Sequence, residues 1–129
     1  MKSRRTATPW IAATIALAAR VASAAPIETN QITFAEPPAW LKKSQVQKVL
    51  DHAEHYLEWD IRKVAVFWHP DAAEFQKSHG YDASVLAFTR GTDHTVHLGP
   101  RVNAANFESI FGHELTHVIV FQKYKSAIP

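Results

Sequence analysis

The stretch from Asn103 to Lys125, NAANFESIFGHELTHVIVFQKYK, constrains this chain more than any other. It reads as a helix with apolar residues on nearly every side: Phe107, Ile110, Val118 and Phe121 on one, Leu115 and Ile119 on the other. Such a helix needs cover from other elements, so it is expected at the centre of the fold. The same helix carries His113, Glu114 and His117, an H-E-x-x-H array. Because a helix turns about 100° per residue, the two histidines stand about 40° apart on one face, with Cβ atoms roughly 5–6 Å apart. Two imidazoles at that spacing can converge on one cation, with Zn–N bonds of about 2.0–2.1 Å. Glu114 falls on the neighbouring flank, where it can take a proton from a water polarised by the metal instead of binding the metal itself. The candidate site is therefore His113 and His117 as Zn2+ ligands, with Glu114 as general base. The competing reading is a helix whose histidines are merely packed or solvated. A composition of eight histidines and seven glutamates produces this array by chance in roughly a few chains per hundred.

The rest of the chain supplies elements to cover that helix. PPAWLKKSQVQKVLDHAEHYLEWD reads as a helix started by Pro37 and Pro38, with Leu41, Val46, Val49, Leu50, Ala53 and Leu57 at helical spacing. RKVAVFWHP reads as a strand ended by Pro70. DAAEFQKSH reads as a short helix, started by Asp71 and closed by Gly80. SVLAFTR and HTVHLG read as a hairpin across GTD. Helix, strand, helix, strand, strand, helix is an α+β layout, with a small mixed or antiparallel sheet packed against helices.

Residues 1–24 read as a signal peptide. Lys2, Arg4 and Arg5 are followed by a short apolar run, and Ala22 and Ala24 form an A-x-A cleavage site. The apolar run is about half of the ~20 residues a membrane helix needs, so no stable membrane span is expected. Export to the periplasm or the extracellular space follows, through the general or the twin-arginine route. The leader holds Lys2, Arg4, Arg5 and Arg20 and no acid, which changes the charge from +2 for the chain to −2 for the mature part. No basic patch remains to argue for nucleic acid. The absence of cysteine leaves only histidine and carboxylate to hold a metal. Residues 25–39, with three of the seven prolines, read as an extended lead-in, and residues 40–129 as the domain.

FGHELTHVIV, the preceding TVHLG and the KVAVFW…AAEFQKSHGY…VLAF run together resemble the front part of a gluzincin-like zinc metallopeptidase domain, the group that includes thermolysin-type enzymes. The resemblance implies a zincin-like subdomain, a peptide or protein substrate and hydrolysis by metal-activated water. It also implies an edge strand above the motif helix that pairs with extended substrate, placed here at Thr95, Val96 and His97. The family's third ligand is a downstream glutamate, and no acidic residue or histidine follows His117. The chain is thus expected to be a truncated or partial peptidase domain lacking a C-terminal segment, marginally stable, with an exposed apolar patch along residues 107–121. Zinc binding by the chain alone is expected to be weak, and proteolysis slight. The alternatives are a non-catalytic exported protein with a relict array, and a metal-binding module without hydrolysis.

The other histidines read as bystanders. His94 and His97 flank a strand and are candidate substitute ligands, with a turn position and a solvent- or substrate-facing position as the plainer readings. His52 and His55 fall at i, i+3 on a solvated helix face, and His69 and His79 read as loop residues. Trp40, Trp59 and Trp68 read as core anchors.

Overall fold

The computed structural model describes residues 25–125, so residues 1–24, read above as a signal peptide, and the last four residues lie outside the described residues. The fold is α+β, and among the described residues it comprises a five-stranded mixed sheet with three helices. In chain order the elements are β1 (Ile27–Glu28), β2 (Ile32–Phe34), α1 (Lys43–Leu57), β3 (Val64–Trp68), α2 (Ala72–His79), β4 (Ala87–Arg90), β5 (Thr95–Leu98) and α3 (Phe107–Lys125). Across the sheet the order is β1-β2-β3-β5-β4. β2, β3 and β5 run parallel, while β1 and β4 are antiparallel to their neighbours.

The lead-in is more structured than its prolines suggest. Ile32 and Phe34 are buried on either side of exposed Thr33, the alternation of a strand with one covered face. The Thr29 hydroxyl accepts the Ile32 amide at 2.9 Å and tightens the turn from β1. The prolines do not start α1. Pro38 starts a turn that its carbonyl closes with the Leu41 amide at 3.1 Å, and Leu41 is buried before the helix begins. The Gln45 side chain accepts the Lys42 amide at 2.9 Å, which sets the start of α1 at Lys43. Glu58, in the left-handed region at φ 51°, ends it. α2 is bounded as its residues imply: Asp71 accepts the Glu74 amide at 2.9 Å, and Gly80 closes the helix at φ 69°.

Helix α3 differs from its expected pattern. Phe107, Phe111, Leu115, Val118 and Ile119 are buried together, at i, i+4, i+8 and i+11/i+12. His113, Thr116, His117 and Val120 are exposed. The helix is therefore one-sided, with Leu115 and Ile119 on the same face as Phe107. That face packs on α1 through Val46, Val49, Leu50 and Ala53, and on one sheet face through Val66, Val96 and Leu98. Trp40, Trp59 and Trp68 are partly buried against this core, as expected of anchors. Gln122 fastens the end of α3: its carbonyl accepts Trp59 Nε1 at 3.2 Å and the Arg62 amide at 2.8 Å, and its amide donates to the Arg62 carbonyl at 3.2 Å. The expected apolar patch is confined to the last turns, where Val120, Phe121 and Tyr124 are exposed, while Phe107, Phe111, Leu115, Val118 and Ile119 are covered. Helix α2 lies on the opposite sheet face. There Phe75 sits so close to Gly99 that a Cβ on Gly99 would be 2.5 Å from its ring.

The buried face of α3 makes a direct prediction. Leu115→Ala should cost about 2–5 kcal/mol, whereas Val120→Ala on the exposed face should change stability by less than about 0.5 kcal/mol. Urea denaturation of the two variants measures the contrast, and equal losses would contradict this orientation of the helix.

Candidate functional site

Helical spacing brings the two histidines together as expected. His113 Nε2 and His117 Nε2 lie 3.1 Å apart, with the rings at 84° to each other. Two Zn–N bonds of about 2.0–2.1 Å at a tetrahedral angle span about 3.3 Å between nitrogens, so this spacing is close to the bite of one zinc ion. Both side chains are exposed, so their nitrogens are reachable from solvent. The donor set fits zinc chemistry in kind: two neutral imidazoles with no thiolate. In number it is two, and among the described residues no group of three or more histidines and carboxylates converges on one point.

Glu114 behaves differently from its neighbour. It is 6% exposed and faces the sheet. Thr89 on β4 donates its hydroxyl to Glu114 Oε1 at 2.7 Å and also approaches the Glu114 carbonyl at 3.1 Å. One threonine therefore ties the motif helix to the sheet, with the carboxylate on the flank next to the histidine pair. A carboxylate oxygen has more lone pairs than this one donor uses, which leaves acceptor capacity at the group.

The strand assigned to substrate requires correction. Thr95, Val96 and His97 do not form an edge: β5 pairs with β3 on one side and with β4 on the other, and all four of its residues are buried. The edge next to the motif helix is β4, Ala87–Arg90, which among the described residues pairs with β5 alone. A hairpin in sequence does not say which of its strands meets the older part of the sheet; here the second strand docks parallel to β3 and pushes the first outward. His97 is 6% exposed and so does not face solvent. Its register partner on β4 is Phe88, next to Thr89, so it points away from α3. It cannot join His113 and His117 through the sheet. His94 occupies the turn, at φ 55°.

His52 and His55 are exposed on α1. With Tyr56, His113 and Thr116 they line an open groove of about 1150 Å³ between α1 and α3. Sequence reasoning missed Thr89, which carries no signal until pairing places it against Glu114. It also missed His69, whose Nε2 lies 2.9 Å from His97 Nδ1. No protein-family model matches the chain, and comparison with curated proteins and with solved structures finds no match.

Removal of the Thr89 hydroxyl tests the tie to Glu114. Thr89→Val takes the donor from a buried carboxylate and should cost about 1–3 kcal/mol, while Thr89→Ser should retain most of the stability. A Thr89→Val protein with the urea midpoint of the parent would show that the bond contributes nothing.

Proposed function

We propose that this chain carries the core of a zinc-dependent peptidase site, with His113 and His117 holding the ion and Glu114 as general base. The observation that supports this reading most is the 3.1 Å convergence of the two Nε2 atoms on the flank next to a buried, oriented carboxylate. Bound zinc supplies Lewis acidity toward a carbonyl and a water. The protein's part is separate from that. Glu114 holds and moves a proton at its carboxylate, and Thr89 fixes the rotamer from which it does so. β4, not β5, is the strand whose open edge can pair with an extended peptide, since it ends the sheet and carries Thr89. The leader-like residues 1–24 favour an exported protein, and a peptide or protein substrate fits a site at a sheet edge.

A second reading has its own support: metal binding without hydrolysis. Glu114 is only 6% exposed, which restricts its access to a water. Zinc titration of the full chain by calorimetry, together with hydrolysis of a quenched fluorescent peptide library in excess zinc, separates the two. His113→Ala and His117→Ala should each abolish zinc binding, which two protein ligands make weak at the outset. Glu114→Gln should leave zinc binding intact and remove the hydrolysis. Zinc binding that survives both histidine changes would overturn the metal site. Hydrolysis absent in the parent would favour the binding module, and hydrolysis equal in Glu114→Gln would remove Glu114 from the role of general base.

A further inference from the structure

On the sheet face away from α1 and α3, a line of hydrogen bonds runs through four side chains. His69 Nε2 is 2.9 Å from His97 Nδ1, and His97 Nε2 is 2.9 Å from Thr95 Oγ1. The Thr95 hydroxyl donates to Asp93 Oδ1 at 2.7 Å. The carboxylate end sets the direction of the whole line. An ionised carboxylate only accepts, so the Thr95 proton goes to Asp93 and the Thr95 oxygen accepts the Nε2–H of His97. Neutral His97 then has a bare Nδ1, which accepts the Nε2–H of His69. Every polar atom of the His97 ring is thus used while the ring is neutral.

The surroundings leave little room for another arrangement. His97 stacks on Phe67 of β3 at 5.1 Å and on Phe88 of β4 at 4.5 Å. Phe75 of α2 packs on both His69, at 5.5 Å, and Phe88, at 5.7 Å. The two imidazoles therefore join β3, β5, β4 and α2 at one point. A proton on His97 Nδ1 would face the Nε2–H of His69, donor against donor, unless His69 changed tautomer. With both rings protonated, no tautomer relieves the contact.

We propose that His69 and His97 form a pH-operated latch, which holds α2 and the β4–β5 hairpin against the sheet when neutral and releases them when protonated. The charged and titratable groups around the pair are Glu74 and His79 on α2, Arg90 on β4 and Asp93 in the turn. Burial, and then the charges of His69 and Arg90, push the His97 imidazole from the ordinary 6.5 down to about 4, against the pull of Asp93. Burial lowers His69 as well, with Glu74 opposing and Arg90 assisting. An unfolded or locally opened His97 takes up a proton near 6.5, and the closed one near 4. The latch is therefore fully closed above about pH 6.5, and its contribution is lost as pH falls through about 4. The latch uses neither His113, Glu114 nor His117, and stands whether or not the zinc reading does.

Hydrogen exchange of the full chain, corrected for intrinsic rates, tests it between about pH 7.5 and about pH 4. Protection of α2 and β4 amides should fall by at least about tenfold relative to α1, towards a limit of about 300-fold set by the separation of 6.5 and 4 and reduced by solvent screening. His97→Phe keeps an aromatic ring and cannot be protonated, so the acid loss should shrink. His69→Gln keeps an N–H donor for His97 Nδ1 and serves if the phenylalanine variant does not fold; it should leave one titrating ring and a shallower loss. Carbon-bound ring proton shifts of His97 by NMR should titrate well below those of free histidine. Protection of α2 and β4 that follows α1 at every pH, or a His97 that titrates near 6.5, overturns the proposal.

Discussion

The docking of α3 onto the sheet is the constraint on which the rest depends. Phe107, Phe111, Leu115, Val118 and Ile119 fill the space between α1 and the sheet face of Val66, Val96 and Leu98. With that face committed to the core, the opposite flank must face solvent, and it carries His113 and His117. Glu114 stands one residue from His113 and so falls at the border of the two faces. There a single threonine hydroxyl makes its burial tolerable. Gln122, three hydrogen bonds to the α1–β3 connection, keeps the helix from sliding or turning about its axis. The geometry of the histidine pair is thus set by apolar contacts on the far side of the helix.

The sheet acts as a divider between two sets of histidines. Along β4, Thr89 reaches α3 and Phe88 reaches His97 on the other face, because successive side chains on a strand alternate. The same rule separates Val96, in the main core, from Thr95 and His97. One face holds an exposed imidazole pair suited to a cation. The other holds a pair in which both nitrogens of His97 and Nε2 of His69 are taken by protein partners. Similar nitrogen spacings, 3.1 and 2.9 Å, therefore carry different chemistry. Burial and the neighbouring carboxylate decide it: Asp93, through Thr95, fixes the tautomer of His97.

Legibility along the chain followed the range of the interactions involved. The α+β layout, the bounds of α2 and the convergence of His113 on His117 rest on contacts within a few residues, and local spacing contains them. β1 and β2 were hidden because two or three residues between prolines carry almost no periodicity, and only pairing, of β2 with β3 and of β1 with β2, makes them strands. The identity of the edge strand was also out of reach. Both hairpin strands are short and apolar, and the choice rests on which one the β3 edge accepts.

By itself, the sequence determined the three helices, the strands β3, β4 and β5 and the local geometry of the H-E-x-x-H array, since a helical repeat places side chains four residues apart on one face wherever the helix lies. Only the tertiary structure decided which face of α3 is buried, that β4 and not β5 ends the sheet, and that His69 meets His97. The reason is that apolar residues on several sides of a helix are each compatible with burial, and the choice among them belongs to the surface they dock against. Pairings such as Thr89 with Glu114 join residues 25 apart in the chain, a separation that no local pattern encodes.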